Sequence, residues 1–422
     1  MIEFIFQKFL EVRSVTTDTR NVRPNDIFFA LKGDNFNGNH FAQQAVDAGA
    51  SLVVVDEDVN VSSDRVVRVE NGLYALQALA KRYRETFSFP VIGITGSNGK
   101  TTTKELMREV LSMKYKTFAT RGNLNNHIGV PLSLLSVPAD CEMAIIEMGA
   151  NHQREIASYC EYAMPDFGVI TNIGKAHMEG FGGIEGIIKG KGELFDYVSS
   201  HGGICIVNTE LDHLGAMAES IPHKKYGFKS GGFHLEIIEE HPTLSFEFST
   251  PTNNSVQRCH AQMAGTYNLF NMATAIAIGH EFGVTAEQMC LALESYVPEN
   301  NRSQWWDSGR NKVILDAYNA NPTSMEAALV NLSKMKNTFF IIGDMFELGE
   351  YAEMEHRKII DLTKALNLHG IFIGKHFQSV GATDFIDAQS ALEYLRLNEV
   401  KDKILLLKGS RGMRLEQLKE VI

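Results

Sequence analysis

The chain has 422 residues, 44% of them hydrophobic and 22% charged, with a formal net charge of −11. That length exceeds what one core organises and predicts three domains, while the acidic balance argues against nucleic acid as a main partner, because phosphate-backbone binding needs a basic surface. No apolar run approaches the ~20 residues that span a bilayer, the opening MIEFIFQKFL lacks a basic leader and cleavage site, and the five cysteines are scattered like reduced thiols, so a cytoplasmic protein is expected.

In residues 1–86, apolar segments at 27–31 and 52–55 and an amphipathic helix over 73–83 predict a small α/β unit. Ser88-Phe89-Pro90 then breaks the pattern and places a boundary at 86. In residues 87–299, apolar strands at 91–95, 143–146, 168–171 and 204–208 each run into a polar or glycine-bearing loop, the signature of a parallel sheet with ligands at its carboxyl edge. Alternation over 234–250 predicts a small antiparallel β portion, and a helix follows over 269–282. Pro298-Glu299-Asn300-Asn301 reads as a second linker. Residues 300–422 restart the α/β pattern, with strands at 312–316, 339–344, 371–374 and 403–408 and a helix over 324–335, and predict a Rossmann-like C-terminal domain without GxGxxG.

The segment VIGITGSNGKTTTKEL, from Val91, reads as a buried strand, a glycine-rich turn and a helix opening at Lys100-Thr101. Turns of this kind cradle a polyphosphate: Gly96, Ser97, Asn98 and Gly99 offer backbone N–H groups, Lys100 reaches the terminal phosphates, and the Thr101 hydroxyl suits Mg²⁺, with Thr102 beside it. Position 94 is Ile94 where the strict Walker pattern has glycine, so the loop is a shortened variant.

Other candidates sit at predicted strand ends. Glu147 closes the apolar strand from Met143, where a carboxylate that helps hold Mg²⁺ belongs, and His177 lies just beyond the strand ending at Thr171. Lys191 occupies the apolar stripe of a helix with Ile184, Ile187, Ile188, Phe195 and Val198, whereas Lys189 points elsewhere. A lysine buried there has a lowered pKa and can react with CO₂ to give a carbamate, a carboxylate-like metal ligand; the alternative is a lysine that snorkels to solvent or pairs with Glu193 or Asp196. DAYNANP from Asp316 and KGSRG from Lys408 each follow a strand, as solvated turns or as groups facing a cleft.

Taken together, TGSNGKTT at Thr95, GNLNNHIGVP at Gly122, EMG at Glu147, TNIGKAH at Thr171, KGE at Lys191, GTYNLFN at Gly265 and NNRSQ around Arg302 resemble the Mur ligases of bacterial cell-wall synthesis. DAYNANP, GDMFELGE at Gly343 and LKGSRGMRLE at Leu407 look like the branch that adds D-alanyl-D-alanine to UDP-N-acetylmuramoyl-tripeptide. The chain departs from many relatives at Tyr267, where they carry histidine, and in having only 13 residues before Ser14.

The resemblance implies a cytoplasmic, monomeric ATP-dependent carboxylate–amine ligase acting in peptidoglycan precursor synthesis, and through it in cell shape and division. It implies that Asp18, Thr19, Arg20, Lys32 and Gly33 hold the UDP moiety, Asn268 and Asn271 contact adenine, Asp316 the ribose, and Arg302 the phosphates. Asn126, Asn319, Lys408 and Arg411 complete the substrate site. Of two Mg²⁺ ions, one belongs near Thr101 and Glu147 and the other with His177 and a carbamate on Lys191. Competing readings are a relative with another acceptor or amino donor, such as a diaminopimelate- or lysine-adding Mur enzyme or a folylpolyglutamate synthase, and a P-loop NTPase switch or small-molecule kinase. The C-terminal motifs argue against the first two, and the expected second substrate domain and metal-ligand lysine against the others.

Overall fold

The computed structural model describes every residue except 34, 299, 300 and 383; the middle of the expected second linker, with the boundary at 299, therefore lies outside the described residues. The chain is built in three α/β parts, each around its own sheet. The first is a four-stranded parallel sheet, ordered Val15–Thr16, Ile27–Phe29, Leu52–Val55, Val66–Arg68. Ile2–Val12, which the sequence pattern did not single out as an element, is an amphipathic helix that buries Ile5, Phe6 and Phe9 against helix Gly72–Arg84. Packing does not stop at residue 86. Phe9, Leu79 and Tyr83 share one continuous core with Leu134, Tyr159 and Phe195 of the central part, and Arg84 donates to the Ala163 and Met164 carbonyls and to Asp166.

The central part is a six-stranded, all-parallel sheet. Its order is His223–Tyr226, Ile204–Asn208, Phe167–Ile170, Val91–Thr95, Met143–Glu147, Thr117–Ala119. The four inner strands read as largely apolar runs because both faces are covered, whereas the edge strand His223–Tyr226 exposes His223, Lys224 and Lys225. Strand order reverses beside Val91–Thr95, and the carboxyl ends at such a reversal open a crevice. The helices Lys100–Ser112 and Asn268–Glu281 pack on one face and carry the three-stranded antiparallel sheet His234–Glu239, Ser245–Thr250, Asn253–His260, whose inward Phe246 and Phe248 are fully buried.

The C-terminal sheet is mixed. Lys312–Asp316, Ile404–Lys408, Thr338–Gly343 and Gly370–Ile373 are parallel as expected, but Gln304–Asp307 adds an antiparallel strand at the edge. A four-residue QWWD run carries no alternation of its own; pairing with Lys312–Asp316 makes it a strand.

Candidate active site

Val91–Thr95 delivers the chain into the crevice, and the turn that follows depends on glycine. Gly96 has φ 146° and a Cβ there would lie 2.0 Å from Thr171 Oγ1; Gly99 has φ 77° and a Cβ there would meet Asn271 Oδ1 at 2.4 Å. The loop is braced from the neighbouring strand end: Ser97 N–H donates to the Asn172 carbonyl, Asn98 N–H to Asn172 Oδ1, and Thr171 Oγ1 to the Asn98 carbonyl at 2.6 Å.

Above this loop lies a cavity of about 810 Å³ lined from both sides. The central part contributes Ser97, Asn98, Gly99, Lys100, Thr101, Thr102, Asn126, Glu147, His177, Asn268 and Asn271, and the C-terminal segment contributes Arg302, Asp316, Asn319, Lys408 and Arg411. Gly96 and Lys191 are not lining residues; Lys191 donates to the carbonyl of Ala150, which is one. Asp18, Thr19, Arg20, Lys32 and Gly33 lie outside the cavity: Asp18 caps the turn Thr19–Asn21 and pairs with Arg20, which lowers its carboxyl to about 2, and Lys32 bridges Asp56 and Glu57.

Thr101 and Glu147 meet, the hydroxyl donating to Oε1 at 3.0 Å. Asn125 Nδ2 donates to the same oxygen at 2.8 Å. Glu147 is 1% exposed, and burial by itself raises a carboxyl; Lys104, Lys100 and Arg302, with Asn125, outweigh it and hold Glu147 below the ordinary range. Lys104 was missed by the sequence reading. It is fully buried, its Nζ 3.3 Å from Glu147 Oε2, 3.2 Å from Glu105 and donating to the Thr120 carbonyl. Its position i+4 from Lys100, one turn further along the same helix, was the available signal.

Lys100 differs from a free phosphate hook. Its ammonium folds back onto the Gly96 and Ser97 carbonyls at 2.7 and 3.3 Å. Burial, opposed by Glu147 and reinforced by Arg302, lowers it to about 8. Asp316 and Lys408 are also already engaged: Asp316 accepts from Ser303 N–H and from Lys408, which is only 2% exposed and also reaches the Asn319 carbonyl. Lys408 is thus the countercharge of Asp316 rather than an open cation of the cleft. Arg302 stacks on Tyr318 at 3.6 Å and Arg411 at 5.3 Å. Asn268 and Asn271 hydrogen-bond each other, Asn126 Oδ1 accepts from the Ile128 and Gly129 N–H groups at the start of helix Gly129–Leu135, and the Tyr267 hydroxyl meets Ser303.

Lys191 lies on the buried face of helix Ile184–Ser200, 1% exposed, with Lys189 exposed. It neither snorkels nor pairs with Glu193, whose carboxylate accepts from the Arg154 and Ala157 N–H groups. Its Nζ donates to the Ala150 carbonyl at 3.1 Å and sits 5.0 Å over the Phe181 ring. Burial, with Lys100 adding and Glu155 and Glu193 opposing, lowers its pKa far below the ordinary value.

Among the described residues, four buried polar atoms on this cavity make no hydrogen bond: Asn98 Nδ2, Glu147 Oε2, His177 Nδ1 and Arg302 Nε. Two of them have a charged neighbour out of hydrogen-bond alignment, Glu147 Oε2 with Lys104 and His177 Nδ1 with Glu347. Orphaned donors and acceptors of both signs at one crevice suit an anionic ligand accompanied by a hard cation, and the hydroxyl and carboxylate oxygens of Thr101 and Glu147 suit Mg²⁺.

A phosphate loop at the switch point of a parallel sheet, faced by a mixed α/β domain across the cleft, defines a three-domain phosphate-loop protein whose site is shared between domains. The sequence matches the Mur ligase family, catalytic domain, over residues 11–86, the Mur ligase middle domain over 94–279, and the Mur ligase, glutamate ligase domain, over 301–411. It is 35% identical to the UDP-N-acetylmuramoyl-tripeptide–D-alanyl-D-alanine ligase of Bacillus subtilis, over 96% of this chain and 92% of that protein. Crystal structure I of MurF from Acinetobacter baumannii superposes with a TM-score of 0.88 at 32% identity, covering 97% of this chain and 93% of that one. MurF from Thermotoga maritima, solved in complex with ADP, does so with 0.87 at 27% identity, covering 98% and 97%. The chain belongs to the Mur ligase family. Among the described residues, no helix is long and apolar enough to cross a membrane.

Proposed function

We propose that this chain joins D-alanyl-D-alanine to UDP-N-acetylmuramoyl-tripeptide at the expense of ATP, with residues 1–86, 87–299 and 300–422 as its UDP-sugar, ATP and C-terminal ligase domains. The observation that carries the reading is the single cavity in which the 96–102 loop and Glu147 face Arg302, Asp316 and Arg411. ATP phosphates lie on the loop N–H groups and helix N-terminus, with Lys100 released from its carbonyls to meet them. Asn268 and Asn271 flank the adenine, Asp316 the ribose, and Arg302 brings its orphaned Nε to the phosphates.

The terminal carboxylate of the tripeptide attacks the γ-phosphorus, ADP leaves, and an acyl phosphate forms. The dipeptide amine then adds to the acyl carbon, and the tetrahedral adduct collapses with loss of phosphate and a proton. No protein nucleophile is required, so the chain contributes positioning and charge stabilisation. Thr101 with Glu147, and His177 with Lys191, would hold two Mg²⁺ ions, which supply charge neutralisation at the phosphates. Lys191 takes part as a carbamate: its neutral amine adds to CO₂ and loses one proton, leaving a carboxylate-like group on a dry helix face. Asn126, Asn319 and Arg411 receive the peptide ends, Lys408 aligns Asp316, and Asp18, Thr19, Arg20, Lys32 and Gly33 hold the UDP end.

Phosphate release tests this. Both UDP-tripeptide and dipeptide should be needed for turnover, with a pentapeptide product by mass from either the diaminopimelate or the lysine tripeptide. Equal ATP hydrolysis without either partner would reject a ligase.

A further inference from the structure

The C-terminal domain meets the central domain at several places, among them Asn321 with Asn98, Lys334 with Glu240 and one short loop. Residues 174–179 follow the strand Phe167–Ile170 and are held at three points. Lys175 N–H donates to Thr323 Oγ1 at 3.1 Å, and its ammonium to Glu355 at 2.9 Å. Glu179 N–H faces the Glu347 carbonyl at 3.5 Å. Between these, His177 Nδ1 lies 2.5 Å from Glu347 Oε2. Both partners have left-handed backbones, φ 54° at His177 and 62° at Glu347. Side chains with a Cβ adopt that conformation at a cost, and it persists where the surroundings over-determine it, typically at working sites.

We propose that Glu347 is a positioning residue for His177: docking of the C-terminal domain sets its carboxylate on Nδ1, so that the neutral imidazole keeps its proton there and offers the Nε2 lone pair to a cation in the cleft. This rests on the reading of His177 as a cation ligand. A neutral imidazole carries one N–H, and the group that accepts it chooses the tautomer and the ring's orientation. The carboxylate is in contact but off the ring N–H direction, since Nδ1 makes no hydrogen bond; a small rotation of either group completes it. Because the acid comes from one domain and the imidazole from the other, cation binding and domain docking are linked, and each strengthens the other. GDMFELGE supplies the carboxylate, a motif that the proposed chemistry leaves otherwise unused.

Mn²⁺ titrated by electron paramagnetic resonance into the full chain with a non-hydrolysable ATP analogue reads the effect directly. Glu347→Ala should weaken the weaker Mn²⁺ site about 10-fold, the lower end for loss of an outer partner of a metal-bound histidine. Glu347→Gln should weaken it less, since an amide oxygen still accepts from Nδ1–H. Lys175→Ala, which loosens the same seam without touching the ring, should weaken it clearly less than Glu347→Ala does. His177→Ala should cost at least as much as Glu347→Ala, and combining the two should cost nothing further. The Glu347 side chain is 54% exposed, so the variants should melt like the parent. Unchanged Mn²⁺ affinity in His177→Ala would reject His177 as a ligand and this inference with it. A loss in His177→Ala but not in Glu347→Ala would reject this inference alone, as would equal losses in Glu347→Ala and Lys175→Ala.

Discussion

Two helices of the central domain bury lysines, and their surroundings differ. On Lys100–Ser112, Lys104 has no exposure, yet carboxylates of Glu105 and Glu147 and the Thr120 carbonyl surround its ammonium. On Ile184–Ser200, Lys191 is buried as deeply with one carbonyl and an aromatic ring, and among the described residues it forms no salt bridge. Burial removes water from both, and at Lys191, which has no carboxylate beside it, this favours the neutral, nucleophilic amine. Partners, more than depth, separate a structural lysine from a reactive one.

The sharpest test of that contrast is Lys191→Ala, expected to lower turnover by about 100-fold or more, the scale for losing one charge-stabilising group, while stability holds or rises because a buried amine without a carboxylate partner has gone. Acetate should restore part of the turnover by occupying the space. Wild-type rates in Lys191→Ala at saturating Mg²⁺ would leave the lysine a packing residue.

Lys104→Met should behave in the opposite way, as a stability defect. It strands Glu147, and breaking a buried pair costs about 3 kcal/mol or more by chemical denaturation. Adding Glu147→Gln should recover most of that loss. Were the two substitutions simply additive, the ion pair would not be what holds this part of the site.

The smallest effect separates Lys100 from both. Its folded value of about 8 lies below the unfolded ~10.4, so between those values the unfolded chain binds more protons and stability rises with pH. Below about pH 8 the penalty for burying the ammonium is fully present. Phosphates should raise the folded value, so nucleotide binding near pH 9 should take up protons. Calorimetry in two buffers of different ionisation enthalpy reads this, and identical heats would show that Lys100 is not where the phosphates arrive.

The sequence by itself determined what depends on neighbours a few residues apart. The strand–glycine–helix of 91–106, the Glu147 strand end and the buried face of Lys191 follow from periods of 2 and 3.6 and from steric demands at Gly96 and Gly99, which the chain carries locally. Tertiary structure decided which charges meet. Lys104 finds Glu147 because Met143–Glu147 pairs beside Val91–Thr95, and Lys408 is closed off because Asp316 ends the adjacent strand, 92 residues away. Glu347 reaches His177 only once two domains dock. The edge strand Gln304–Asp307 and helix Ile2–Val12 likewise take their form from the surfaces they cover. Coulomb energy depends on separation in space and on the surrounding dielectric, neither of which a residue's own neighbours in sequence specify.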